Sequence, residues 1–354
     1  MSVQHPQRTH PRVIRAAVAC SDHQLKFEKI SLAAPRRNEV GVRIVACGIC
    51  HTDLGFISPG AVLGHEGAGI VDQVGSAVKN VKPGDHVALS FQSCGQCDAC
   101  SAHRPVDCEH FSTLNFGFSR LDGSSAYPQG IDGHFFGQSS FASYALVTEQ
   151  NLVKVDKSLP LATLAPLGCG LQTGAGTVMN TLKVKQGDRL LVIGTGAVGM
   201  AAVMAAKIAG AKEIIALDQH QHRLDLAQEL GATEALKTGR ERNLQGQLDY
   251  VIDTAGVSSL DKLGQDALKD GGVMVRLTGA GGATLPRRRK ILSVIQGDSV
   301  AQEFIPKMIS LWQSGSFPFD RLLHFYDFEE INQAIEDTRS GKVIKAVLCW
   351  PQAS

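Results

Sequence analysis

The chain has 354 residues, 44% of them hydrophobic, with 35 Lys plus Arg against 34 Asp plus Glu. That length and apolar content suffice for a large core divided between about two domains, and the balanced charge excludes an extended basic face for nucleic acid. No run is apolar enough to span a bilayer, and Met1 to Arg15 carries Arg8, Arg12 and Arg15 without the apolar segment of a secretory signal, so a cytoplasmic protein is expected.

From Val13 to about Val155 the chain is made of short β-type runs broken by Gly, Pro and Asp: Ile14–Ala19, Glu39–Ala46, Ala68–Val74, His86–Leu89 and Ser143–Thr148. They predict an irregular, barrel-like β domain. Within it stands Cys94-x2-Cys97-x2-Cys100-x7-Cys108. Four soft thiolates at that spacing suit one tetrahedral zinc with no open position, so the expected duty of the lobe is to stabilise a loop. A disulfide framework is the alternative for clustered cysteines, but it belongs to secreted chains. A thiol switch would need a reason for the metal to leave.

At Leu161 the pattern changes. Apolar runs at Arg189–Gly194, Glu213–Asp218, Asp249–Thr254 and Val273–Leu277 alternate with helical segments such as Ala197–Ala209 and Arg223–Leu230, which predicts a parallel, doubly wound sheet. The first run leads into Gly194-Thr195-Gly196-Ala197-Val198-Gly199. In a Gly-x-Gly-x-x-Gly turn the first glycine permits the bend, the second admits a pyrophosphate, and the third lets helix and strand pack closely. Asp218 closes the next run, 24 residues beyond Gly194, about where a carboxylate meets the adenosine ribose. Its charge would repel a 2′-phosphate, which favours NAD over NADP; Arg223 is a neighbour to the same ribose, and with His220 and His222 it would soften that rejection.

Arg287-Arg288-Arg289-Lys290 is a local basic run, expected as a solvated turn, with an acidic partner as the alternative. Beyond Ser314 a helix over Glu329–Arg339 and a strand over Lys345–Cys349 are expected. They would rejoin the first domain. The predicted division is therefore 1–160 completed by 315–354, with 161–314 as the nucleotide-binding domain and a cleft between the two.

Five cysteines remain outside the lobe: Cys20, Cys47, Cys50, Cys169 and Cys349. Composition does not choose among them, because buried free cysteine is common.

Gly64-His65-Glu66 followed by Gly67-Ala68-Gly69, the block Cys50-His51-Thr52-Asp53, the four-cysteine lobe and the Gly-Thr-Gly-Ala-Val-Gly turn, in this order and spacing, resemble the zinc-dependent medium-chain alcohol dehydrogenases over nearly the whole chain. Asn115-Phe116, Gly137 to Ala142, Pro166 to Gly174 and Phe317-Pro318-Phe319-Asp320 resemble the aryl-alcohol (benzyl-alcohol) branch. The resemblance implies an α/β architecture, with a GroES-like irregular β-barrel catalytic domain and a Rossmann domain. It implies two zinc ions per subunit: one in the cysteine lobe, and a catalytic one on Cys50, His65 and Cys169 with its fourth position open to water or substrate.

Carried onto single residues, the resemblance makes Glu66 a transient ligand, Asp53 the acceptor that orients His65, and Thr52 the hydroxyl that meets the substrate oxygen and starts a proton relay. His51 would contact the cofactor pyrophosphate and Thr173 the nicotinamide. The implied reaction moves hydride between NAD(H) and an alcohol/aldehyde pair, aromatic, allylic or cyclic, with either direction open in the cell. The rival readings are a lyase on the same fold with non-reacting NAD, and a non-catalytic binding protein. A homo-dimer or homo-tetramer through a sheet edge near Ile291–Ile295 is also implied.

Three departures stand out. Only fourteen residues separate Cys50 from His65, fewer than in relatives, which predicts a wider mouth with Phe56 and Ile57 as its apolar content. Gly55 stands where some relatives end the relay with a histidine. Lys345 takes the place of an arginine on the cofactor phosphates, keeping the charge and losing the fork.

Overall fold

A computed structural model describes residues 10–278 and 288–351. The chain divides into two compact units. The first comprises the chain up to Cys169, Val300–Pro306 and the segment from Leu322 onward; the second comprises Gly170–Ser299 and Lys307–Arg321. Residues 161–169 thus belong with the first unit.

The first unit is built on strands β1 (Arg12–Ala19), β2 (Leu25–Leu32), β3 (Glu39–Gly48), β4 (Glu66–Val74), β5 (His86–Leu89), β6 (Tyr144–Thr148) and β7 (Leu152–Val155). β1 and β2 form an antiparallel pair. β3 is buried at nine of its ten positions because it has neighbours on both edges: β4 on one, and on the other β6 along its first half and the C-terminal strand along its last residues. Val40, Val42 and Ile44 of β3 pack with Val71, Val87, Leu89, Ala145 and Val147 in one apolar cluster. β2 and β7 are absent from the expected strands: β2 reads Leu-Lys-Phe-Glu-Lys-Ile-Ser-Leu, with its charges on exposed or half-exposed positions.

The second unit carries β8 (Arg189–Ile193), β9 (Glu213–Asp218), β10 (Glu234–Lys237), β11 (Leu248–Asp253), β12 (Leu268–Arg276) and β13 (Lys290–Ser293). They pair in parallel in the order β10-β9-β8-β11-β12-β13. Helices Ala197–Ile208, Gln221–Leu230 and Ser258–Ala267 make the crossovers. β8 and β11 are neighbours with opposite directions of onward winding, so a crevice opens beyond their carboxyl ends, the place where such sheets bind ligands. Of the basic run, Arg287 lies outside the described residues; Arg288 and Lys290 are exposed, while the Arg289 guanidinium donates to the Gln265 carbonyl oxygen at 2.6 Å.

Near the C-terminus, β14 (Leu323–Asp327) and β15 (Lys345–Cys349) pair in parallel, and β15 pairs with β3, completing the first unit's seven-stranded sheet. The expected helix starts at Ile331, after a short helical turn at Phe328–Glu330. Among the described residues no helix is long and apolar enough to cross a membrane.

Candidate active site

The cysteine lobe closes as its spacing requires. Cys94 Sγ lies 3.9 Å from Cys100 Sγ, and Cys97 Sγ lies 4.0 Å from Cys108 Sγ. A tetrahedron with metal–sulfur bonds of about 2.3 Å separates its sulfurs by about 3.8 Å, whereas a disulfide needs about 2 Å. None of the nine cysteines, all of them among the described residues, is in a disulfide. Backbone N–H groups of Gln96 and Cys97 point at Cys94 Sγ, and that of Cys94 at Cys108 Sγ.

The second cluster joins parts of the chain more than a hundred residues apart. Ligand atoms of Cys50, His65, Glu66 and Cys169 all lie within 4.8 Å of one another. Cys50 precedes a short helix, His51–Gly55, whose third residue, Asp53, accepts the Cys50 backbone N–H at 2.9 Å. The same buried carboxylate accepts the Gly64 N–H at 3.1 Å and reaches His65 Nδ1 at 2.8 Å. Asp53 therefore ties the Cys50 turn to the His65 strand. It also fixes the imidazole so that Nε2 is the nitrogen left for a metal, and that atom is buried without a hydrogen-bond partner. A buried orphan nitrogen beside two thiols is the donor set zinc takes, so the residues fit the ion. A hydrogen bond with Cys169 lowers the pKa of the Cys50 thiol, and the same bond together with burial raises that of Cys169.

Lys345 stands elsewhere than expected. Its ammonium is buried and donates to Glu66 Oε1 at 2.9 Å, Glu66 Oε2 at 2.8 Å and the Ile49 carbonyl oxygen at 3.0 Å. An ammonium has three donors, and all three are engaged here, so it is not aimed at a cofactor phosphate. The reason is electrostatic: Glu66 is fully buried beside the thiols, and an ion out of water requires a counter-ion. Burial raises the Glu66 carboxyl even against the Lys345 charge. Gly48 makes room for the pair, since a Cβ there would come within 2.1 Å of Glu66 Oε2.

Of the remaining expected residues in this unit, Thr52 is half-buried, with Oγ1 3.7 Å from Cys50 Sγ, and His51 is exposed at the start of the same helix. A wall of phenylalanines, only partly anticipated, abuts the cluster. Phe136 stacks on the His65 ring at 4.3 Å and Phe135 meets its edge at 5.5 Å. Phe135 in turn contacts Phe118 at 5.5 Å and Phe56 at 5.2 Å, and Phe56 stacks on Phe116 at 5.3 Å. The short Cys50–His65 connection thus does not leave this side bare, because Phe56 closes onto the others. The adjacent Phe135-Phe136 pair was the signal available in the sequence; both residues are buried in the short turn Phe135–Gly137, where Phe136 has a φ of 52°.

In the second unit the three glycines take up distinct positions. Gly194 has φ +85°, Gly196 has open space where a Cβ would stand, and a Cβ on Gly199 would come within 1.9 Å of the Gly194 carbonyl oxygen. Asp218 is 7% exposed. Its carboxylate accepts the Thr195 N–H at 2.7 Å, the Thr195 hydroxyl at 2.8 Å and the His220 N–H at 2.9 Å. Burial raises its pKa, but these hydrogen bonds outweigh burial and hold the carboxyl below its ordinary value. Arg223 is half-buried, and burial lowers its pKa against the opposing charge of Asp218. Thr173 is half-exposed on the helix Gly170–Gly176.

A GroES-like barrel with a metal-ligand cluster, joined in one chain to a Rossmann sheet with a phosphate-binding turn, defines a zinc- and nicotinamide-dependent oxidoreductase. The comparisons agree. Residues 36–157 match the alcohol dehydrogenase GroES-like domain and residues 197–311 the zinc-binding dehydrogenase domain. A geraniol dehydrogenase of Castellaniella defragrans is 38% identical over 92% of this chain and 94% of its own length. Among solved structures, an alcohol dehydrogenase zinc-binding domain protein from Burkholderia ambifaria superposes with a TM-score of 0.92 at 42% identity, over 97% of this chain and 100% of that one. A benzyl alcohol dehydrogenase from Acinetobacter calcoaceticus gives 0.91 at 38% identity, over 96% and 100%. The chain belongs to the zinc-dependent medium-chain alcohol dehydrogenase family and is an alcohol dehydrogenase, interconverting alcohols and carbonyl compounds.

Proposed function

We propose that the protein is NAD-dependent and acts on aromatic, allylic or cyclic alcohols and the matching aldehydes, with Cys50, His65 and Cys169 holding the reactive zinc and the four-cysteine lobe a second one. The observation that carries the substrate class is the phenylalanine wall: five rings continuous with the His65 imidazole, of which Phe56, Phe116 and Phe118 keep part of their surface exposed. Ring-on-ring contact adds about 0.5–1.5 kcal/mol beyond simple burial, which a short linear alcohol forgoes. The names of the geraniol and benzyl alcohol dehydrogenase relatives point the same way. NAD is favoured because Asp218 is ionised, buried and placed at the end of β9.

When bound, zinc supplies an electrophile that lowers the proton affinity of an oxygen ligand, and the nicotinamide supplies or accepts hydride. The protein's own part is to hold and protonate. Asp53 sets the tautomer and direction of His65. Thr52, beside Cys50, exchanges the proton of the substrate hydroxyl, and His51, one residue away and exposed, passes it toward solvent. With glycine at 55 the relay ends at His51, a cofactor ribose hydroxyl or water. Glu66 would offer the metal a further carboxylate, and its ion pair with Lys345 holds it back. Gly194, Gly196 and Gly199 would receive the pyrophosphate and Asp218 with Arg223 the ribose, while Thr173 would meet the nicotinamide. β13 at the edge of its sheet, with Leu292 and Ile295 exposed, supports a homo-oligomer joined through that edge.

The test is absorbance at 340 nm on mixing protein and NAD with benzyl alcohol, cinnamyl alcohol or ethanol, repeated with NADP. Higher kcat/KM by at least tenfold for the unsaturated alcohols, with NAD, is expected. Equal values, or preference for ethanol, would refute the substrate class.

A further inference from the structure

Gln138 belongs to a stretch whose chemistry is not used by the reaction, yet it lies at the centre of a buried network around the metal ligands. Its side chain is fully buried, and all four of its hydrogen-bonding positions are filled. Nε2 donates to the His65 carbonyl oxygen at 2.9 Å and to the Ser90 carbonyl oxygen at 3.1 Å; Oε1 accepts the Gly67 N–H at 3.2 Å and the Ser140 hydroxyl at 2.7 Å. Gln138 therefore grips the backbone on both sides of Glu66. Ser90, fully buried as well, donates its hydroxyl to the Gly168 carbonyl oxygen at 2.7 Å, directly before Cys169. Asn151 donates to the Ser90 carbonyl oxygen at 3.2 Å and to that of Phe136, the residue stacked on His65, at 3.0 Å.

We propose that Gln138, acting through Ser90, is the positioning residue that sets the distance between the His65–Glu66 strand and Cys169 and so governs how tightly the reactive metal is held. It touches neither metal nor substrate. The amide is suited to this because only a side chain with two donors and an acceptor can join two carbonyls to an N–H; a carboxylate lacks the donors and an apolar residue lacks both. Inverting the amide would set donors against the Gly67 N–H, so its orientation is fixed by its surroundings. Outer partners of this kind typically change metal affinity about 10- to 100-fold when removed.

This inference rests on reading the cluster as a metal centre, and one experiment separates the two. Purified full-length protein is exposed to excess 1,10-phenanthroline, and zinc release is followed for the wild type, Gln138→Glu and Ser90→Ala, with the visible spectrum of the cobalt-substituted forms as a second readout. Wild type should release two zinc ions in two phases. In both variants the phase assigned to the reactive site should quicken by about tenfold or more, with altered cobalt bands, while the four-cysteine lobe keeps its rate. Unchanged release, or equal quickening of both phases through general loosening, would overturn the positioning role. If Gln138→Glu does not fold, Ser90→Ala decides alone, since it removes one hydroxyl and leaves the carbonyl that Gln138 uses. A wild type with a single zinc would instead overturn the metal reading itself.

Discussion

Asp53 Oδ1 lies 2.8 Å from His65 Nδ1, with both side chains buried, and the same carboxylate binds the backbone N–H groups of Cys50 and Gly64. One residue therefore orients one ligand and joins the two segments that carry two of them. Asp53→Asn offers a single acceptor oxygen for three donors and turns an N–H toward at least one of them. We expect zinc affinity or kcat/KM to fall about 10- to 100-fold, with little change in KM for NAD, measured by metal titration and steady-state kinetics.

Cys169→Ser should cost more activity than Thr52→Ala. Lowering the pKa of a zinc-bound water from 15.7 to about 7 corresponds to roughly 12 kcal/mol, whereas general-base assistance contributes about 3–5 kcal/mol. Single-turnover rates at equal folded fraction should show the serine variant slower; the reverse order would mean that Thr52 carries more of the proton chemistry than the metal.

Lys345→Met leaves Glu66 buried without its partner. Breaking a buried pair on one side destabilises by about 3–5 kcal/mol, whereas replacing both partners is often near neutral. Lys345→Met should lower the urea midpoint clearly, and adding Glu66→Gln should restore most of it. If the double variant is as unstable as the single, the pair is not what holds Lys345 in place.

His134 provides a pH test away from the metal cluster. Burial, then the Arg120 charge, push its pKa down to about 4, and its Nε2 accepts the Ala126 N–H at 3.0 Å, which requires the neutral ring. The folded pKa is below the unfolded value of about 6.5, so this contribution to stability is complete above pH 6.5 and is lost as pH falls toward 4. The full span amounts to about 3 kcal/mol. In thermal unfolding between pH 7 and 4, His134→Gln should lose less stability than wild type, since glutamine can accept the same N–H without titrating. Parallel curves would remove His134 from the account of acid sensitivity.

The features legible in the sequence were those whose residues are close together along the chain or obey a local period. The cysteine spacing indicated a closed lobe because the 15 residues from Cys94 to Cys108 can wrap one ion unaided. Gly194 to Gly199 and Asp218 were legible because one strand, one turn and one helix build the phosphate site, and the apolar runs Leu190–Ile193 of β8 and Ile214–Leu217 of β9 reflect burial on both faces of a parallel sheet. Which cysteines outside the lobe share a metal was not legible from composition; only resemblance picked Cys50 and Cys169 over Cys47.

Tertiary structure decided the rest, because it concerns side chains brought together from remote segments. The resemblance made Lys345 a cofactor contact, in the place of an arginine in relatives, yet pairing of β15 with β3 delivers its ammonium to Glu66, 279 residues away. The five phenylalanines come from three segments, and Gln138 unites His65, Gly67 and Ser90 through backbone atoms that carry no sequence signature at all. Hydrogen bonds to a carbonyl or an N–H are indifferent to residue type, and the strength of a buried charge depends on what shares its cavity, so neither could be known before the chain was folded.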